Sequence, residues 1–216
     1  MARVLGIDTT SEFGGLALVE DGELRDELLL HSPDGFGHLL FDALRELLTR
    51  AGWTLSSVDC YAGASGPGSF TGVRVGLTAA KGLADAEGKP VVAISNLAAV
   101  AAHGEGPVRA ALLDARRGEV YGGLYDASGR ALADEVVMAL PAWLETLPPE
   151  VEFVTPAVGL FAPLLGGAEV REAPRSLAAM VARMAHGRFT AGLAVDPVGV
   201  DANYVRRSDA ELFWKD

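Results

Sequence analysis

Two stretches of this chain carry residue types that could do chemistry. The first is Asp8-Thr9-Thr10-Ser11, a carboxylate and three hydroxyls directly after the apolar run Arg3 to Asp8. Such a set at a strand end can hold phosphates or their metal, and it is equally an ordinary turn. The second is Gly63-Ala64-Ser65-Gly66-Pro67-Gly68-Ser69-Phe70-Thr71-Gly72-Val73-Arg74-Val75-Gly76. Its glycines need positive φ or close backbone approach, and Ser69 or Thr71 can cap a helix start. Free backbone donors at such a turn suit an anion or another protein. No Gly-Lys-Ser/Thr follows, so this is not a nucleotide P-loop. Pro67 and Phe70 stand where a dinucleotide-binding turn needs open backbone.

Other chemistry is missing from the sequence. The four histidines, His31, His38, His103 and His186, form no HExxH pattern and no i, i+4 pair. No Gly-x-Ser-x-Gly nucleophile elbow occurs. The single cysteine, Cys60, falls in an apolar strand, which excludes an internal disulfide and disfavours a nucleophile. A net charge of −11 argues against the chain holding a nucleic-acid backbone by itself. No apolar run reaches the ~20 residues of a membrane span, and no signal-peptide pattern opens the chain. A cytoplasmic location follows as an expectation.

The elements that must position these residues read in order. A strand Arg3 to Asp8 precedes strands Gly15 to Glu20 and Glu23 to Leu30 around Asp21-Gly22, a hairpin signal. A helix Phe36 to Ala51 carries Leu40, Ala43, Leu44, Leu47 and Leu48 on a wide apolar stripe. Strand Val58 to Ala62 leads through the glycine loop to a helix Thr71 to Ala86. On that helix Gly72, Gly76 and Ala80 recur every fourth residue and leave one face almost bare, which invites another backbone from the same domain or another subunit. Strand Pro90 to Ile94 and a helix Asn96 to His103 end the first half at Gly104-Glu105-Gly106-Pro107. The second half begins again with strands Val108 to Asp114, Glu119 to Tyr125 and Arg130 to Met138. A short helix Pro141 to Thr146, a strand Val151 to Val154, a helix Gly159 to Leu165 and a helix Leu177 to Phe189 follow.

The repetition of three strands and then alternating helix and strand predicts an α/β, two-lobed, actin-like or Hsp70-like (ASKHA) fold with duplicated βββαβαβα lobes. The expected lobes are 1–105 and 106–196, with 197–216 as a tail that packs back on the first lobe. In that architecture Asp8, Thr9 and Thr10 stand where phosphates bind.

Ile7-Asp8-Thr9-Thr10, the block Gly66 to Gly76, Lys81-Gly82-Leu83-Ala84, Asp114-Ala115-Arg116-Arg117-Gly118-Glu119-Val120-Tyr121 and Tyr204-Val205-Arg206 resemble the TsaB, or YeaZ, family. The Gly66-Pro67-Gly68-Ser69-Phe70-Thr71 loop is the most specific of these. The resemblance implies a non-catalytic relative of the TsaD transferase. Its role would lie in making N6-threonylcarbamoyladenosine at position 37 of tRNAs that read codons beginning with A, alongside the ATPase TsaE. The resemblance further implies a helical interface with TsaD, a homodimer through the same surface when alone, and tRNA contact only through the complex. The expected interface residues are Leu40, Leu44, Leu47, Gly72, Val73, Gly76 and Ala80. The relative's metal-binding histidines align with Asn96 and Val100, so no cofactor, iron or zinc is expected. The competing expectation is an independent actin-like phosphotransferase using Asp8 and Asp114, or a glycoprotease-like hydrolase.

Overall fold

The structure is a computed structural model and describes residues 1–205 of the 216. Arg206 of the tail motif, Arg207 and Trp214 lie outside the described residues. The chain folds into two compact units, Met1–Ala99 with Arg175–Ala202, and Val100–Pro174 with residues 203–205.

In the first unit, β1 (Arg3–Asp8), β2 (Phe13–Glu20) and β3 (Glu23–His31) form an antiparallel meander. Its tight turn is Asp21-Gly22, with φ of 51° and 86°, the left-handed pair that a two-residue hairpin demands. β4 (Cys60–Ala64) pairs parallel to β1, and β5 (Val91–Ile94) pairs parallel to β4. The sheet order is β3-β2-β1-β4-β5. β4 is buried along its whole length, as a strand covered on both faces must be.

Two helices of the first hundred residues pack on this sheet, α1 (Leu40–Ala51) and α2 (Phe70–Glu87), and α3 (Asn96–Ala101) follows β5. α1 starts four residues later than its apolar periodicity suggests. Leu39 and Leu40 N–H both reach Phe36 carbonyl in a preceding turn, and Gly52 in the left-handed region ends the helix. Leu5, Ile7, Leu16, Leu18, Leu40, Leu44, Leu47, Tyr61 and Leu77 form one buried cluster between sheet and helices.

The second unit repeats the plan. β6 (Val108–Asp114), β7 (Glu119–Asp126) and β8 (Val136–Ala139) are antiparallel, while β9 (Glu152–Thr155) and β10 (Val170–Glu172) continue in parallel. The order β10-β9-β6-β7-β8 matches the first sheet in plan, with the meander on one side and the parallel pair on the other. The short helices α4 (Leu140–Leu144) and α5 (Val158–Phe161) supply Trp143 and Phe161 to its core. The strand expected from Arg130 begins only at Val136, because Asp126 accepts hydrogen bonds from Ser128 and Arg130 and prolongs the turn. The short strand β10 has too few residues for a periodic signal.

The helix α6 (Ala178–Thr190) corrects the expected lobe boundaries. It packs on β1, β2 and β4 of the first sheet, not on the second half that precedes it. The approach is close because Gly6 has no side chain. A Cβ there would stand 2.7 Å from the Ala178 carbonyl and 2.8 Å from Ala182 Cβ. Beyond α6, Val195 bridges to Val91, and Val200 is buried in the first core.

Candidate functional site

The Asp8 turn and the glycine loop meet at the carboxyl end of β1. Asp8 is 1 % exposed, Thr9 1 % and Thr10 5 %. Asp8 Oδ1 accepts from Thr10 N–H at 3.0 Å and from the Thr10 hydroxyl at 2.6 Å, and Oδ2 accepts from Leu177 N–H at 2.8 Å, just before α6. Asn96, the first residue of α3, donates from Nδ2 to Thr10 Oγ1 at 2.5 Å. Its Oδ1 accepts from Gly66 N–H, and its own N–H donates to the Gly66 carbonyl, both at 2.8 Å. Ser69 N–H adds a bond to the Thr10 carbonyl at 2.7 Å, and the Thr9 hydroxyl donates to the Gly72 carbonyl at 2.7 Å.

The result is a closed polar knot that ties β1, the loop, α2, α3 and α6 together. Burial pushes the Asp8 carboxyl above the usual carboxylate range, and the bonds from Thr10 and Leu177 pull the other way. Both carboxylate oxygens are spent inside the fold, and all three side chains of the expected phosphate loop are covered. Asp8, Thr9 and Thr10, expected as a possible vestigial phosphate loop, here fasten the glycine loop to the turn.

The loop itself takes its shape from that fastening. Gly66 sits at φ 98°, and its bond to Pro67 is cis. Gly68 lies so close to the first turn that a Cβ would meet the Thr10 carbonyl at 2.6 Å. Ser69 is the N-cap of α2, accepting from Gly72 N–H at 3.3 Å. Thr71 and Phe70 are exposed at the helix start, and Arg74 lies 3.7 Å over the Phe70 ring.

The bare face of α2 is used inside the first unit. A Cβ on Gly72 would collide with the Thr9 carbonyl, and one on Gly76 would stand 2.5 Å from Thr9 Oγ1. Val73 and Ala80 are buried, as are Leu40, Leu44 and Leu47 of α1. Most of the residues expected at a partner interface therefore pack within the first unit, with Gly72 half-buried against the turn, while Leu40 also borders a surface groove. The apolar surface left outside is the next stripe round each helix. Phe41 is 60 % exposed, and with Leu40, Val75, Ala79, Gly82 and Leu83 it lines a groove of about 440 Å³. A Cβ on Gly82 would meet nothing within 4 Å. Sequence periodicity could not separate these stripes, because α2 carries apolar residues on more than one face and Phe41 is a single ring on the polar side of α1.

The aligned ligand positions hold no metal donor set. Asn96 is engaged as above and Val100 is fully buried. Among the described residues no three His, Cys, Asp or Glu side chains converge. Cys60 is buried, and burial together with Asp59 pushes its thiol up to about 12, so it is inert as a nucleophile. No helix among the described residues is long and apolar enough to cross a membrane.

Against known proteins, the family profile described as "TsaD: tRNA N6-adenosine threonylcarbamoyltransferase" matches residues 36–158. The "tRNA threonylcarbamoyladenosine biosynthesis protein TsaB" of Bacillus subtilis is 34% identical over 151 residues, covering 67% of this chain and 65% of that protein. The Escherichia coli protein of the same description is 37% identical over 123 residues, covering 55% and 53%. The matches thus span between about half and two thirds of these relatives' length. A solved structure described as YeaZ from Pseudomonas aeruginosa superposes with a TM-score of 0.79 at 29% identity, covering 94% of this chain and 100% of that one. Component A of the Acidaminococcus fermentans (R)-2-hydroxyglutaryl-CoA dehydratase reaches 0.55 at 10% identity, a likeness of fold alone, over 88% of this chain and 100% of that one.

Proposed function

We infer the role of this chain from one premise: it belongs to the TsaB, or YeaZ, family, with the two-sheet actin-like fold of that family. On that premise we propose that it is a non-catalytic subunit in the formation of N6-threonylcarbamoyladenosine on tRNA. It docks on the TsaD-type transferase, works beside a TsaE-type ATPase, and pairs with a second copy of itself when the transferase is absent.

The observation that carries this reading is the pairing of a closed knot with an open groove. Asp8 spends both oxygens on Thr10 and Leu177, which commits the turn's carboxylate to the fold instead of to a phosphate or its metal. The groove of α1 and α2 instead offers Phe41 and the small residues Ala79 and Gly82, a surface on which a partner's helices can pack closely. Its apolar residues supply the burial that holds a stable protein interface together.

The test is reconstitution. The transferase, its ATPase and the enzyme that makes threonylcarbamoyl-adenylate are incubated with tRNA, with and without this chain. Modification should depend on the chain, and Phe41→Asp should abolish both co-purification with the transferase and the stimulation. Full modification without the chain would overturn the reading.

A further inference from the structure

The turn between β1 and β2 leads into an unusual surface assembly in the first unit. Phe13 opens β2 and pairs across the sheet with His31 at the end of β3. Their rings are stacked, with centroids 4.4 Å apart and planes within 13°. The Arg175 guanidinium, from the segment entering α6, lies 4.5 Å over the same Phe13 ring. Arg175 and His31 are exposed, and Glu12 stands 3.7 Å from His31 Nε2. Three separate elements thus bring a phenyl, an imidazole and a guanidinium to one place outside the buried core. A second cation on an aromatic ring, Arg74 over Phe70, belongs to the same end of the sheet, since Ser69 N–H is bonded to Thr10 in the intervening turn.

Stacked rings and guanidinium planes at a surface have a well-defined complement. Every nucleobase presents a flat π-face, and sequence-tolerant RNA recognition is built from such faces with an arginine near the backbone. We propose that the Phe13–His31–Arg175 stack receives an unpaired nucleobase of tRNA, with Arg175 toward the adjoining phosphate. The proposal rests on the reading above, in which the assembly acts on tRNA. It is compatible with a chain of net charge −11, because stacking gives roughly five- to 150-fold in affinity per base without a basic footprint. The acidic remainder keeps the chain from holding tRNA unaided.

The experiment measures KM for tRNA in the reconstituted assembly, together with affinity for the transferase, for Phe13→Ala, His31→Gln and Arg175→Gln. Each should raise KM about fivefold or more while transferase affinity holds. His31 and Arg175 are exposed, so their variants remain informative should the half-buried Phe13→Ala fold poorly. A wild-type KM for both exposed variants, in an assembly that still requires this chain, would overturn the stacking site alone. Lost transferase affinity would also overturn it, since the stack would then be a protein contact. An assembly indifferent to the chain would instead remove the reading on which the proposal stands.

Discussion

At the scale of single residues, Gly76 and Gly82 make a matched pair six positions apart on one helix. Gly76→Leu puts its first carbon 2.5 Å from Thr9 Oγ1, so overpacking should cost at least ~1–3 kcal/mol and lower the melting temperature. Gly82→Leu meets open space. It should raise stability by several tenths of a kcal/mol through helix propensity, yet weaken transferase binding by filling the groove. Calorimetric melting and a binding titration on both variants separate the two roles, and equal melting temperatures would contradict the assignment. Asp8 has a different signature. Its carboxyl is raised above 3.8 by burial, so the folded chain holds that proton more tightly than the unfolded one. The stability linked to it is full below pH 3.8 and is lost as pH rises through the folded-state value. Asp8→Asn cannot titrate, so the urea midpoint of the wild type should fall relative to that of the variant as pH rises above 3.8. A difference that stays constant with pH would show that Asp8 is not held in this way.

At the scale of elements, the sequence was informative wherever one periodicity dominated. β6 spans Val108–Asp114 as its apolar run predicts, and α2 differs from its expected span by one residue at each end. The loop was legible as a strand–turn–helix junction because Ser69 is a helix-capping type and the glycines are dense. Its purpose was not legible, since Asp8-Thr10 and Asn96 meet only after folding brings residues 86 apart into hydrogen-bond contact. The stripe that stays at the surface was hard to read for a similar reason. Leu40, Leu44 and Leu47 are the stronger hydrophobic stripe, and strength of pattern marks the core before it marks a docking face. Phe41 alone breaks the polar side of α1 near its start, and one exposed ring is a faint signal among the leucines. Phe41→Asp should accordingly leave stability within about 0.5 kcal/mol of wild type while removing partner binding. A large loss of stability in that variant would return Phe41 to the core.

At the scale of the molecule, the duplicated plan of mixed sheets was legible from the repeated three-strand opening, but the ownership of α6 was not. Its residues follow the second half in sequence, and nothing local to Ala178–Thr190 names the sheet it covers. Gly6 on β1 and the Asp8 acceptor for Leu177 N–H are the structural reasons it returns. A fragment of residues 1–105 should therefore fail to fold cooperatively, lacking the cover on β1, β2 and β4. Adding a peptide of residues 175–202 should restore a cooperative melt, and a sharp melt of the fragment by itself would refute this packing.

The return of α6 also sets an order of events on the ribosome. The strands of the first unit and its helices α1 and α2 are synthesised within the first hundred residues or so, but the helix α6 that packs on their sheet emerges only after the whole of Val100–Pro174. Until then the nascent chain carries the small-residue surface around Gly6 open to other proteins. The second unit, whose strands are contiguous in sequence, can close first although it is made later. The sheet beneath α1 and α2 is then completed only near the end of translation. Arrested chains ending before residue 174 should therefore be more protease-sensitive than the completed polypeptide, as limited proteolysis of stalled chains would read.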